Sequence, residues 1–126
     1  MSHFSRIRTQ LVNKDLILEA LFALGYLPQQ GRFQIRSSMG DREVVTILLK
    51  APGGHPVGLR KRGVSFEVIA DWNQIEGLTQ QEFINRLSQK YAYLAARQQL
   101  EAQGFTLVEE SNPADGQIHM VLRRVR

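Results

Sequence analysis

Apolar and polar residues alternate from Ser2 to Gln10, with Phe4 against Ser5 and Ile7 between Arg6 and Arg8, which predicts a short strand. The period then lengthens. Leu16, Ala20 and Leu24 recur at every fourth position and Ile17 and Leu21 widen the stripe, so a helix is expected from a cap at Asn13 or Asp15 to Leu24, with Gly25 as its stop. Tyr26 to Gly31, marked by Pro28 and Gly31, reads as a loop.

Alternation returns at Arg32 to Arg36, with Phe33 and Ile35 on one side and Arg32, Gln34 and Arg36 on the other. Glu43 to Ala51 is a β-branched run, apolar enough for a central strand. Val64 to Trp72 places Val64, Phe66, Val68, Ala70 and Trp72 on one face and Ser65, Glu67 and Asp71 on the other. Val57 to Arg62 reads as a further strand, joined to it tightly around Gly63. Thr79-Gln80-Gln81-Glu82 is a capping box, with Leu78 and Phe83 at the staple positions. The helix it opens runs to about Gln103, stops at Gly104 and carries the stripe Ile84, Leu87, Tyr91, Leu94 and Ala95. Phe105 to Glu110 and Gln117 to Val125 form a closing hairpin around a turn at Asn112 to Gly116. The expected fold is α+β over one domain, residues 1–126, in the order β-α-β-β-β-α-β-β. Hairpin-style links imply a mainly antiparallel sheet with two helices packed on one face.

Composition supports a folded domain. The chain has 126 residues, 43% apolar and 22% charged, which are globular proportions. It has no cysteine, which removes disulfides, thiol catalysis, iron–sulfur clusters and cysteine zinc sites. No apolar run approaches the ~20 residues of a membrane span, and the opening residues lack the apolar core of a signal peptide. The chain is expected to work where it is made. A net charge of +4 attracts anionic partners: nucleic acid, acidic proteins or lipid headgroups.

Chemistry is sparse. His3, His55 and His119 lack metal-ligand spacing, and no cofactor motif is present. Ala51-Pro52-Gly53-Gly54-His55-Pro56 lacks the Gly-Lys-Ser/Thr ending of a phosphate loop and reads as a turn between strands. Glu67 and Asp71, ~13 Å apart on one strand face, are too far apart for a paired-carboxylate site and are expected to be solvated. The basic residues are the most informative. Arg60-Lys61-Arg62 is a tight cluster, Arg6 and Arg8 share one strand face, and Arg123, Arg124 and Arg126 close the chain. If the terminal strands pair, Arg6, Arg8 and the last arginines merge into one basic patch; otherwise they protect strand edges. Trp72, beside Asp71, and Tyr93, on the side of its helix away from Tyr91, are the aromatic contact candidates.

Met1-Ser2-His3-Phe4-Ser5, Phe66-Glu67-Val68-Ile69-Ala70-Asp71-Trp72, Gln89-Lys90-Tyr91-Ala92-Tyr93, Gly104-Phe105, Val108-Glu109-Glu110 and Val121-Leu122-Arg123-Arg124 occur here in one order. Together they resemble a family found in cyanobacteria and the plastid genomes of algae. It is known as hypothetical chloroplast open reading frame thirty-five, or domain of unknown function twelve fifty-seven. The resemblance implies a setting, the cyanobacterial cytoplasm or the plastid stroma, and no reaction. Three readings follow. The first is an accessory protein with a protein partner. The second is a nucleic-acid-binding domain using the arginines, and the third an enzyme assembled from scattered residues such as His3, Asp71 and His119.

Overall fold

The computed structural model describes residues 3–112 and 117–124, with side chains described as far as Phe105 and at positions 121, 123 and 124. In chain order the elements are β1 (Ser5–Arg8), α1 (Lys14–Ala23), β2 (Gln29–Arg36), β3 (Arg42–Lys50), β4 (Pro56–Arg62), β5 (Ser65–Ala70), α2 (Gln80–Ala102), β6 (Phe105–Asn112) and β7 (Gln117–Arg124). The chain divides within α2 into two compact units, Met1–Tyr91 and Ala92–Arg126. The first holds an antiparallel five-stranded sheet in the order β1-β5-β4-β3-β2. The second holds the end of α2 and the β6–β7 hairpin, registered from Phe105 opposite Arg124 to Asn112 opposite Gln117. The fold is α+β, as expected. Its order has one strand more than β-α-β-β-β-α-β-β, because β4 is a full member of the sheet and four strands separate the helices.

The helix ends form where the side chains direct them. The Leu16 N–H donates to Asn13 Oδ1 at 3.1 Å, which settles the α1 cap on Asn13. At the other end Gly25 takes φ 95°, while the Tyr26 N–H donates to the Leu21 carbonyl and the Gly25 N–H to that of Phe22. That pair of bonds is a Schellman stop, which needs a residue at ease in the left-handed region. At α2 the Glu82 N–H donates to Thr79 Oγ1 at 3.1 Å, and the Thr79 hydroxyl meets the Glu82 carboxylate at 3.2 Å. Leu78 and Phe83 are both buried at the staple positions.

Both faces of the sheet carry a core. On one face, register aligns Ile7, Val68, Leu59 and Ile47 in a row and Ser5, Ala70, Val57 and Leu49 in the next. The Ser5 hydroxyl donates to Gln80 at the start of α2, which places that helix over this face. Leu16, Ile17, Ala20, Leu21, Phe83 and Leu87 supply the buried helical side chains. On the opposite face Phe4, Ile35, Val45 and Ile69 form a second cluster, with Phe33 and Leu48 packed against it. Phe4 precedes one edge strand and Ile35 lies in the other, so the sheet curls until its edges approach over this face.

The curl depends on Gly58. A Cβ there would sit 2.4 Å from Val45 Cγ1, so only glycine admits Val45 into the second core. The curl also corrects the expectation of a half-solvated strand at Val64–Trp72. Every residue of β5 is buried, and Glu67 and Asp71 are only 5% and 6% exposed. Val64 instead lies in the β4–β5 turn, exposed, and Trp72 lies in a 3-10 turn beyond the strand.

Candidate functional site: two classes of arginine on one sheet

The second core is rimmed by charge. Glu67 stands between Arg8 on β1 and Arg60 on β4, its cross-strand partners. The Arg60 guanidinium donates to Glu67 at 2.7 Å and to Glu43 of β3 at 2.8 Å. Arg6 of β1 closes onto the same Glu43, and Arg62 lies 3.6 Å from Glu67. Opposite charges thus alternate from Arg6 through Glu43, Arg60 and Glu67 to Arg62, across β1, β3, β4 and β5. Burial pushes the Glu43 carboxyl up, but the bonds from Arg6 and Arg60 outweigh it and hold the group below its ordinary value. The Arg60 guanidinium is held above its ordinary value in the same way, its bonds to Glu67 and Glu43 exceeding the cost of burial. The network ties β1 to β3 across the curl and so acts on the fold.

A different set of arginines has no such partners. Arg32 and Arg36 alternate with Phe33 and Ile35 along β2, so they point away from the second core. Arg42 is registered directly opposite Arg36 and shares its side. All three are exposed, and among the described residues none has an ion pair or a side-chain hydrogen bond. Sequence reasoning missed this group because its members are scattered at 32, 36 and 42, with no run of basic residues. The signal was present in the alternation of Arg32, Gln34 and Arg36. Arg42 joins them only once the hairpin register is known.

The expected contact residues divide accordingly. Arg6 and Arg60 are bound into the network, Arg8 donates to the Arg62 carbonyl at 3.3 Å, and Lys61 and Arg62 are exposed. Within its own unit β1 bonds to β5, and within the other β7 bonds to β6. Arg123 and Arg124 are exposed on β7, with the Arg124 guanidinium 5.7 Å from the Phe105 ring centre; Arg126 lies outside the described residues. Trp72 is half-buried, 5.6 Å from Phe83, which in turn meets Tyr26 edge-on at 5.8 Å. Tyr93 is half-buried and engaged. The Tyr91 hydroxyl accepts the Asn13 N–H at 3.1 Å.

His3 and Asp71 both hold the β2–β3 turn, through different residues. His3 Nδ1 lies 2.8 Å from Asp41, whose carboxyl that bond holds below its usual value. Asp71 Oδ2 accepts from the Ser38 N–H at 3.1 Å and from the Ser38 hydroxyl at 3.2 Å. The burial of Glu67 and Asp71 overturns the expectation of solvated carboxylates, because the curled sheet encloses them beside arginine and serine donors. The His119 side chain lies outside the described ones. The turn reading of Ala51 to Pro56 holds: Pro52–Gly54 is a 3-10 turn joining β3 to β4. No described helix is long and apolar enough to cross a membrane.

Comparison with known proteins gives the lineage. The chain is 33% identical to "Uncharacterized protein ycf35" of Cyanophora paradoxa, across 100% of this chain and 99% of that one. It is 30% identical to the protein of the same name from Pyropia yezoensis, across 98% of each, and 28% identical to that of Guillardia theta. No solved structure matches. Residues 20–121 match the family described as "Protein of unknown function (DUF1257)", and with full-length relatives at this identity the chain belongs to that family.

Proposed function

We propose that this chain is an accessory protein that works by contacting another protein through its basic side chains, in the cyanobacterial cytoplasm or the plastid stroma. The observation that carries the reading is the division of charge on one sheet. Glu43 and Glu67 are taken up by Arg6, Arg60 and Arg62, while Arg32, Arg36 and Arg42 have no counter-charge among the described residues. A surplus of one sign on a rigid strand pair favours an acidic partner and speeds its approach. Lys61 and Arg62 at the end of β4 and Arg8 of β1, together with Arg123, Arg124 and Arg126, are further proposed contacts. Trp72 and Tyr93 supply aromatic edges. Arg6 and Arg60 contribute through the shape they impose. The relatives named ycf35 support the setting.

The test is the native mass of the protein in an extract of cells that make it. The reading expects elution well above 14.4 kDa at low salt, falling to that of the lone chain when the Debye length shrinks to about 3 Å near 1 M. Elution as the lone chain at low salt would end it. A mass that falls when the extract is treated with ribonuclease or deoxyribonuclease would transfer the contact to nucleic acid.

A further inference from the structure

We infer that the free edge of β2 receives an extended acidic segment of a partner protein as an added strand. The inference rests on the accessory-protein reading and specifies where and how contact is made. β2 ends the sheet order, and among the described residues β3 is the only strand bonded to it. An edge strand offers a row of backbone donors and acceptors that another strand can take.

Side chains on β2 define what that strand must carry. Arg32, Gln34 and Arg36 project to one side, with Arg42 beside Arg36, and Phe33 and Ile35 project to the other. An added strand places its own alternate residues beside these, at ~7 Å intervals along each face. Acidic residues would then stand against Arg32 and Arg36. The intervening residues would lie against Phe33, which is only half-buried at the margin of the Phe4, Ile35, Val45 and Ile69 core. A segment alternating acidic and apolar residues fits both faces at once. Nucleic acid fits less well, because the only aromatic residue of β2 and β3, Phe33, lies on the side away from the arginines and leaves a base no ring of these strands to stack on there. The same arginines repel a second copy of this edge, so the device admits an acidic strand while opposing self-association. The register shift between Gln30 and Phe33 confines regular pairing to the Phe33–Arg36 end.

The probe is a synthetic peptide, Thr-Glu-Val-Glu-Thr-Glu-Val-Glu. It is compared with one of the same composition in which the four acids form a block, and with a single-stranded oligonucleotide of similar charge. Binding is followed by fluorescence anisotropy, and hydrogen exchange reports on the β2 amides of the whole chain. The alternating peptide is expected to bind and to slow exchange between Phe33 and Arg36. The triple change R32E/R36E/R42E should weaken it by about 10-fold or more, R32K/R36K/R42K should largely preserve it, and Lys14→Glu, at the exposed start of α1, should leave it within about twofold. Equal binding of the blocked peptide, unchanged β2 exchange, or tighter binding of the oligonucleotide would overturn the inference. Weakening by Lys14→Glu in place of R32E/R36E/R42E would also overturn it, while leaving the accessory-protein reading intact. The conservative lysine variant separates loss of charge recognition from loss of fold.

Discussion

Arg36 and Arg42 stand directly opposite each other across the β2–β3 hairpin, at the registered pair next to the turn. Like charges in that position cost roughly 0.2–1 kcal/mol relative to a neutral pair. The nearby Glu43 cannot relieve them, since it lies on the other side of β3 and is held by Arg6 and Arg60. Sequences that break a local rule without a structural return do so most often where they function. An acidic side chain set beside them, as in the proposed strand addition, would turn that repulsion into attraction.

Glu43 sets a pH dependence of stability. Its carboxyl is held below its ordinary value of 4.5, because the arginine bonds outweigh burial. A lowered pKa in the folded state contributes stability above the unfolded value, and that contribution is lost as pH falls through the folded value. Urea midpoints should therefore decline as pH drops below about 4.5, and Asp41, lowered by the His3 bond, should add to the decline below its own ordinary value of 3.8. Glu43→Gln should cost about 1–3 kcal/mol at pH 7 and flatten part of that decline. Parallel wild-type and variant curves below pH 4.5 would remove Glu43 from this role.

Gly58→Ala should destabilise by about 1–3 kcal/mol or more, since the new methyl falls 2.4 Å from Val45 Cγ1. In a Val45→Ala background the same change should cost less, with a coupling of about 1 kcal/mol. Additive losses in a double-mutant cycle of urea unfolding would mean that Val45 and Gly58 do not meet as described.

Tyr91→Phe removes the hydroxyl that accepts the Asn13 N–H at 3.1 Å. Asn13 is exposed, so water can replace the bond in part, and the loss should be about 0.5–1 kcal/mol. Amide exchange should quicken first in the opening turn of α1. A variant with unchanged exchange there would show that α2 does not hold this cap.

The helices were legible in the sequence because their signals are local. Asn13 and Thr79 cap, Gly25 stops α1, and Leu78 and Phe83 bracket the start of α2 within a few residues of one another. The strand runs were legible for the same reason. The second core was not, because it joins Ile35, Val45 and Ile69 of three strands to Phe4 just before β1, and only the curl brings them together. The burial of Glu67 follows from that curl, so a strand read as half-solvated is enclosed on both faces. The basic residues show the same limit. Arg60-Lys61-Arg62 stands out as a run, yet Arg60 is bound to Glu43 and Glu67, while the unpaired Arg36 and Arg42 become neighbours only through hairpin register.

The central claim is that the arginines of this sheet divide into those that hold the fold and those left for a partner. Urea unfolding of Arg60→Gln and Arg36→Glu, measured side by side, tests it most directly. Arg60→Gln leaves Glu43 and Glu67 short of their shared donor and should lose about 1.5–3 kcal/mol. Arg36→Glu turns a repulsive cross-strand pair into an attractive one, so its stability should hold or rise by up to about 1 kcal/mol. A loss in Arg36→Glu as large as that in Arg60→Gln would contradict the division.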